Sequence, residues 1–376
     1  MMMTIARRCF FLYVVCLTGL RLWAQDTPLS RTYFVYVVCE SADKIAVVRF
    51  GPDGAKLDHT LHTGIMPGAD ISGPHGIVMS PDRQFYYVTI AHGRPYGQAL
   101  KYRTKDDAVV GHVTLGYFPA TVDITPDGNF IYEVNFNLHG DMVPSSVSVV
   151  ATDEMVEAAR IPTCVMPHGS RLNSAGTRQY SACMMDDMLV EIDTTKFVVS
   201  RHFLLSKGKE AGTPGPPPKD QRAMTAICGP TWAQPSSDGK SVYVACNKSD
   251  EIVEVAADTW SLKRRIPAGP GVYNLAVSKD GKMAATNKRG QSVSIFDLAS
   301  GRELVRLTTR RKIPHGVVIS PDNLYAFVAV EGIGSEPGTV EVIDLRALKT
   351  VATVDVPEQA VGIDFWKTES SSAPSK

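Results

Sequence analysis

The chain has 376 residues, with 39 lysines and arginines against 39 aspartates and glutamates, so its formal net charge is zero. No stretch interleaves basic with aromatic residues, which argues against a nucleic-acid partner. The length would permit two domains of average size, but an internal repeat runs through almost the whole chain and indicates one large domain.

Residues 1–24 have the pattern of an export signal. Arg7 and Arg8 precede an apolar run over residues 9–20, and residues 22–24 form an acceptable cleavage site. The run is too short for a membrane span, so we expect an exported protein, periplasmic or extracellular. The paired arginines also resemble a twin-arginine signal, which exports proteins already folded, and both routes stay open. Residues 25–31 are predicted to form a short linker.

Beyond the linker, one sequence unit recurs about every 42 to 50 residues. The unit consists of Pro-x-Gly, an apolar run, a turn such as Asp-Gly, and a run of aromatic residues and valine. Its copies begin near Pro74, Pro119, Pro167, Pro230, Pro270 and Pro314. This period is typical of a propeller blade rather than of a helical repeat.

Each unit predicts a four-stranded antiparallel sheet. The apolar run after Pro-x-Gly is strand A, and the Asp-Gly tip supplies the positive φ angles of a tight hairpin to strand B. Alternating segments such as 292–298 and 303–308 predict strands C and D. Glu133 stands at a strand B position that is usually apolar, and we expect a buried carboxylate with a partner.

The two ends of the repeat region predict how the sheet array closes. Residues 32–39 have the pattern of a strand B without a preceding strand A, and residues 359–366 that of a strand A without a following strand B. Together they complete one blade, which leaves no free radial edge. The predicted fold is therefore an all-β, seven-bladed β-propeller over residues 32–366, followed by a disordered tail over 367–376.

Several short motifs resemble those of the YVTN-type seven-bladed β-propeller family. The matching segments are YVTI at 87–90, ATN at 285–287, VSIFD at 293–297 and VEVID at 340–344, together with the Pro-x-Gly tracts. The resemblance implies the propeller fold. It leaves activity open, because propellers related by this repeat include surface proteins, lactonase-type hydrolases and halves of nitrous-oxide and nitrite reductases.

Five cysteines remain after removal of the signal, so at least one must stay unpaired within the chain. Cys39, Cys183 and Cys246 occupy the end of strand B in their blades, while Cys164 and Cys228 precede strand A in neighbouring blades. We expect Cys164 to pair with Cys228, and the strand-end cysteines to be small apolar fillers. The absence of any Cys-x-x-Cys excludes covalent haem and zinc-ribbon sites.

Three histidines share one position of the repeat. His75, His168 and His315 fill the x of Pro-x-Gly, at the head of the innermost strand. Such a ring of imidazoles could bind a transition metal such as Cu, Zn or Fe, or each histidine could simply bond a neighbouring carbonyl. Further possible ligands near this rim are His92, His139 and Cys183.

The long connections all fall between strands B and C or between strand D and the next strand A, which lie on one face. They are 92–98, 137–146, 184–188, 206–222 and 332–338. Loop elaboration on one side of a repeat scaffold is typical of a working face. The prediction is a propeller that binds a small molecule or protein partner there. The alternatives are a metal-dependent oxidoreductase or metal carrier, with a separate redox partner in the redox case, and a lactonase-like hydrolase.

Overall fold

The computed structural model describes residues 30–63, 71–92, 97–218 and 226–370, and every regular element in these ranges is a β-strand. The predicted signal peptide and residues 371–376 of the predicted tail lie outside the described residues. The strands form seven antiparallel sheets, and the first strands of successive sheets contact each other in a closed ring. The predicted seven-bladed β-propeller is confirmed.

Each blade contains strands A to D from the axis outward. Blade 1 holds β29 (Ala360–Ser370), β1 (Arg31–Cys39), β2 (Lys44–Gly51) and β3 (Gly54–His62); blade 2 holds β4 (Pro74–Met79), β5 (Phe85–Ile90), β6 (Gln98–Arg103) and β7 (Ala108–Thr114); blade 3 holds β8 (Pro119–Ile124), β9 (Phe130–Asn135), β10 (Pro144–Ala151) and β11 (Val156–Val165).

The remaining blades follow the same order. Blade 4 holds β12 (Pro167–Leu172), β13 (Arg178–Cys183), β14 (Met188–Asp193), β15 (Val198–Leu204) and a fifth strand, β16 (Ala211–Pro214); blade 5 holds β17 (Pro230–Pro235), β18 (Ser241–Cys246), β19 (Glu251–Ala256) and β20 (Ser261–Pro267); blade 6 holds β21 (Val272–Val277), β22 (Lys282–Asn287), β23 (Ser292–Asp297) and β24 (Arg302–Thr308); blade 7 holds β25 (Pro314–Ile319), β26 (Tyr325–Val330), β27 (Pro337–Asp344) and β28 (Lys349–Glu358).

Blade 1 joins the two ends of the described chain. Strand β1 pairs with β29 along its whole length, from Arg31 opposite Ser370 to Cys39 opposite Ala360. The predicted shared blade is therefore present. Residues 367–370, which we assigned to a disordered tail, belong instead to β29, because the N-terminal half of β1 supplies backbone partners for them.

The glycine of Pro-x-Gly has a packing role at the ring of A strands. A Cβ added at Gly76 would lie 2.4 Å from the Ala120 carbonyl oxygen of the next blade, and one at Gly316 would lie 2.3 Å from the Val361 carbonyl oxygen. Real Cβ atoms do not approach backbone oxygens so closely. The repeat therefore keeps glycine where adjacent A strands meet near the axis.

Aspartates in the B–C turns of blades 1, 4 and 5 bind the backbone just before the next blade. The Asp43 carboxylate accepts the Gly73 N–H, and that of Asp250 accepts the Gly271 N–H. Asp187, which the sequence placed near the histidine rim, accepts the N–H groups of residues 227, 228 and 229. These carboxylates satisfy backbone donors just before the next strand A.

The cysteine pairing differs from the prediction. The disulfides join Cys164, at the end of β11 just before blade 4, to Cys183 in β13, and Cys228, just before β17, to Cys246 in β18. The prediction failed because it compared neighbouring blades, whereas the start of strand A and the end of strand B are partners in the same sheet. Cys39 is free and buried.

Two disulfides are compatible with an oxidising, exported location. Within the described ranges, no helix is long and apolar enough to cross a membrane.

The B–C and D–A connections lie on one side of the ring, which we call the mouth face. The opposite face carries only short A–B and C–D turns. Part of the predicted loop 206–222 is not a loop: Ala211–Pro214 forms β16 and pairs with the outer strand of blade 4. Glu210 just before it is held by an ion pair to Arg265, at 2.6 Å.

Candidate functional site

His75, His168 and His315 lie near one another where the channel opens to the mouth face. Each is the second residue of its strand A, and each is buried. The imidazole centroids of His75 and His315 are 5.4 Å apart, and those of His75 and His168 are 6.4 Å apart. The shared repeat position thus brings together side chains that are far apart in sequence.

His168 already uses both of its ring nitrogens. Its Nδ1 lies 2.9 Å from the Thr231 carbonyl oxygen, so Nδ1 carries the proton and donates it. Burial lowers the pKa of His168 to about 3, and the ring is neutral. Its Nε2 therefore accepts the Tyr273 hydroxyl, at 3.0 Å. Tyr273 also packs against His315, with ring centroids 4.8 Å apart.

His75 belongs to a carboxylate-centred group. Its Nδ1 lies 2.7 Å from Glu40 Oε2, and His92 Nε2 lies 2.8 Å from Glu40 Oε1. Burial alone would raise the pKa of Glu40, but the charge and hydrogen bond of His75, with the contribution of His92, hold that pKa at about 2. Because an ionised carboxylate only accepts, both imidazoles donate to it. His75 Nε2 is left buried without a hydrogen-bond partner.

His315 lies beside a second charged pair. Lys288 Nζ is 3.0 Å from Glu331 Oε1 and 3.8 Å from the centroid of the Tyr273 ring. Burial, followed by the charge of Lys288, holds the pKa of His315 well below its usual value, so this ring is neutral. Its Nε2 lies 3.9 Å from Glu331 Oε1, too far for a hydrogen bond. Its buried Nδ1 has no hydrogen-bond partner of good geometry, although a weaker contact with the Val361 carbonyl partly offsets the fall in its pKa.

A large cavity opens beside this group on the mouth face, over blades 1 to 3. We call it the mouth cavity; its volume is about 1720 Å³. Glu40 and His92 line it together with Phe118 and His139. The Phe118 ring packs edge-on against His92 at 5.1 Å and against His139 at 5.5 Å between centroids.

The rim of the mouth cavity carries several exposed apolar side chains. Large side chains with substantial solvent exposure line it: Ile71, Tyr117, Leu138 and Val143. Exposed apolar patches next to polar groups are typical of binding sites.

The predicted metal ligands fall into two groups. His75, His168 and His315 meet at the channel, while His92 and His139 lie in the mouth cavity with their ring centroids 6.0 Å apart. The Cys183 sulfur is in a disulfide and is not available as a thiolate ligand. In the part of the chain that the structure describes, no three His, Cys, Asp or Glu side chains are arranged to hold a metal ion.

Sequence reasoning missed Glu40, Lys288 and Glu331. All three occupy one repeat position, the residue directly after strand B, in blades 1, 6 and 7. Extending the repeat alignment one residue past strand B would have found them. Glu133 is buried as expected, but both of its carboxylate oxygens lack a hydrogen-bond partner.

Comparisons with known proteins agree with the fold. No protein-family model and no curated protein matches the chain. Among solved structures, it is similar to the hydrazine synthase of Kuenenia stuttgartiensis, with 20% identity, a TM-score of 0.63, and coverage of 80% of this chain and 92% of that chain. It is also similar to a functionally unknown protein from Desulfotomaculum acetoxidans DSM 771, with 15% identity, a TM-score of 0.67, and coverage of 89% and 98%. At these identities the likeness concerns the fold alone.

Proposed function

We propose that this protein is an exported propeller that binds a small molecule in the mouth cavity. The observation that carries the proposal is the cavity itself, of about 1720 Å³, with the buried Glu40–His92 pair in its lining. Ligand sites are concave, mostly apolar, and contain a few well-placed polar groups. The mouth cavity combines these properties on the face that also carries the longer loops.

The lining favours an uncharged ligand with an aromatic or apolar body and a polar head group. Phe118 and the rim residue Tyr117 offer ring surfaces, and His92 and His139 offer hydrogen bonds. The Glu40 carboxylate is already satisfied by two imidazoles, so it does not demand a cationic ligand.

The test is a small-molecule panel screened by thermal shift and calorimetry against the mature protein and two matched variants. Val143 lines the cavity and Val109 lies on the outer strand of blade 2, and both are 52% exposed. We expect ligands to bind the wild type and Val109→Arg, and to lose at least tenfold in affinity for Val143→Arg. Equal binding to both variants would show that the ligand binds outside the mouth cavity. If no small molecule binds and a pull-down recovers only a protein, the ligand is a macromolecular partner instead.

A hydrolase is a second candidate because Glu40 orients His92 beside the cavity. With Nε2 bound to the carboxylate, His92 keeps Nδ1 as the nitrogen that can take a proton from water. Lactone and ester hydrolysis would be measured for His92→Gln and, as the control, for His112→Gln, an exposed histidine on the outer strand of blade 2. Loss of turnover only in His92→Gln supports this candidate; no turnover by the wild type removes it.

Metal binding is the third candidate, supported by the Glu40–His75 pair. A carboxylate that fixes the proton on one imidazole nitrogen leaves the other nitrogen as a metal ligand, and this arrangement is common behind metal-binding histidines. His75 Nε2 and His315 Nδ1 are the available nitrogens, and a redox role would need a separate partner protein. Metal analysis of protein isolated from the exported compartment would support this candidate if bound Cu, Zn or Fe disappeared in His75→Ala. A metal-free wild type would end it.

A further inference from the structure

A small cavity lies in the axial channel and is separate from the mouth cavity. We call it the channel pocket; its volume is about 30 Å³, and its lining comes from the A strands of the blades. That volume is about the volume per molecule in liquid water. Its polar lining residues are His75, Thr121, Arg171, Trp232, Asn274 and His315.

Four of these lining residues carry a buried polar atom without a hydrogen-bond partner. The atoms are His75 Nε2, Trp232 Nε1, Asn274 Oδ1 and His315 Nδ1. The residues are only 8%, 4%, 4% and 5% exposed, respectively. Leaving such an atom unsatisfied destabilises the folded state, and native proteins keep few of them. Their concentration around one pocket indicates a bound molecule that satisfies them.

The hydrogen-bonding character of these atoms defines that molecule. His75 Nδ1 faces Glu40, which leaves Nε2 as the ring nitrogen that can bond the occupant, and Asn274 Oδ1 is an acceptor. Trp232 Nε1 can only donate. The occupant must therefore both donate and accept hydrogen bonds.

We propose that the channel pocket binds one neutral molecule of the size of water, held between blades 2, 5, 6 and 7 by His75, Trp232, Asn274 and His315. Binding of this molecule and metal binding by His75 and His315 exclude each other, because both use the same nitrogens. A cation fits poorly because the Arg171 guanidinium and the Trp232 N–H line the same pocket and His168 offers no free nitrogen. An anion fits poorly because the Asn274 oxygen and the neutral His315 ring line it too.

The bound molecule becomes the first member of a hydrogen-bonded chain. It bonds to His75 Nε2, His75 Nδ1 donates to Glu40, and Glu40 also accepts from His92, which lines the mouth cavity. The channel pocket thereby fixes the orientation of the side chains in the mouth cavity. This inference does not depend on the identity of any ligand bound there.

The test is a high-resolution crystal structure of the mature protein, with parallel crystals soaked in bromide and in Zn²⁺. We expect one electron-density peak within hydrogen-bonding distance of His75 Nε2 and of Asn274 or Trp232. At the position of this peak, no crystal should show anomalous signal. An anomalous peak in the pocket would show that it binds an anion or a metal instead. A pocket without density would also overturn the proposal.

Variants test the assigned side chains. Asn274→Leu removes an acceptor and fills the pocket, so the peak should disappear. Trp232→Phe keeps a ring and removes only the N–H, so the occupancy of the peak should fall by about half or more. If Asn274→Leu does not fold, Trp232→Phe still decides the question. A peak unchanged in Trp232→Phe contradicts the role of these side chains.

Discussion

Two buried glutamates show how strongly the surroundings decide the charge of a carboxyl group. Glu40 is ionised because two imidazoles donate to it, which outweighs the effect of its burial. Glu133 lies in β9 between Val122 and Ser148, and burial alone raises its pKa well above the usual value. Burial therefore favours the protonated form of Glu133 in the folded protein.

Glu133→Gln should make stability less dependent on pH. The folded-state pKa of Glu133 is raised, so its contribution to stability is fully present below the unfolded-state pKa and is lost as pH rises toward the folded-state value. The variant cannot ionise at this position. Its free energy of unfolding should therefore rise, relative to that of the wild type, by up to about 1.4 kcal/mol per pH unit over that interval. Denaturant unfolding from pH 5 to pH 8 measures the gap, which is the difference in unfolding free energy between the variant and the wild type. A gap that stays constant contradicts the prediction.

The sequence predicted the meeting of the three histidines but not the state of their nitrogens. Their common place in the repeat followed from periodicity, because equivalent residues of a propeller surround one axis. Tyr273 fills the same repeat position in blade 6, yet its bond to His168 depends on side-chain rotamers that spacing does not encode.

At the scale of the strands, the repeat explains the positions of both the disulfide cysteines and the strand A glycines. The two disulfides connect strand B to the residues before strand A of the same blade. Blade 1 has the strand B cysteine, Cys39, but lacks its partner. Glu358 stands two residues before Ala360, as Cys228 stands two residues before Pro230.

Glu358→Cys should form a third disulfide with Cys39. We expect titratable thiols under denaturing conditions to fall from one in the wild-type mature protein to none in the variant. The crosslink joins the two ends of the ring and should stabilise the protein by about 2–4 kcal/mol. The control, Cys39→Ser with Glu358→Cys, should keep one thiol and gain no stability. Two free thiols in the single variant would show that the blades are not equivalent here.

Gly316→Ala should destabilise the ring of A strands. The new Cβ would meet the Val361 carbonyl oxygen at 2.3 Å, and overpacking of this kind costs about 1–3 kcal/mol. Thr121→Ala is the matched variant at the same repeat position of blade 3, where it removes a hydrogen bond to His168 without a clash. Thermal unfolding should show the larger loss for Gly316→Ala. An equal or larger loss for Thr121→Ala would contradict the packing role of the glycine.

For the whole molecule, the decisive contact is between β1 and β29. Without β29, strand β1 would present an unpaired edge and blade 7 would lose its neighbour at the axis. A chain ending at Glu358 should therefore aggregate and lose its cooperative thermal transition, whereas a chain ending at Ser370 should behave like the wild type. Size-exclusion chromatography and circular dichroism measure both. A monomeric, cooperatively folding short chain would show that the ring does not need this closure.

The whole fold could be predicted from sequence because its signal is repeated in each blade and errors in single units average out. The disulfides and the channel pocket could not, because each depends on which neighbouring atoms a single side chain reaches. Residues 367–370 were missed for a related reason: their strand depends on pairing with Arg31–Cys39, more than three hundred residues away along the chain.

The pairing of β1 with β29 in blade 1 also determines how the protein can be attached to a tag or a solid support. Arg31 and Ser370 are paired at the end of the sheet opposite Glu40 and the mouth cavity. A tag, carrier domain or solid support joined at Arg31 or Ser370 would emerge from the face opposite the mouth cavity. Immobilised in this way, every copy would present its cavity to the solution.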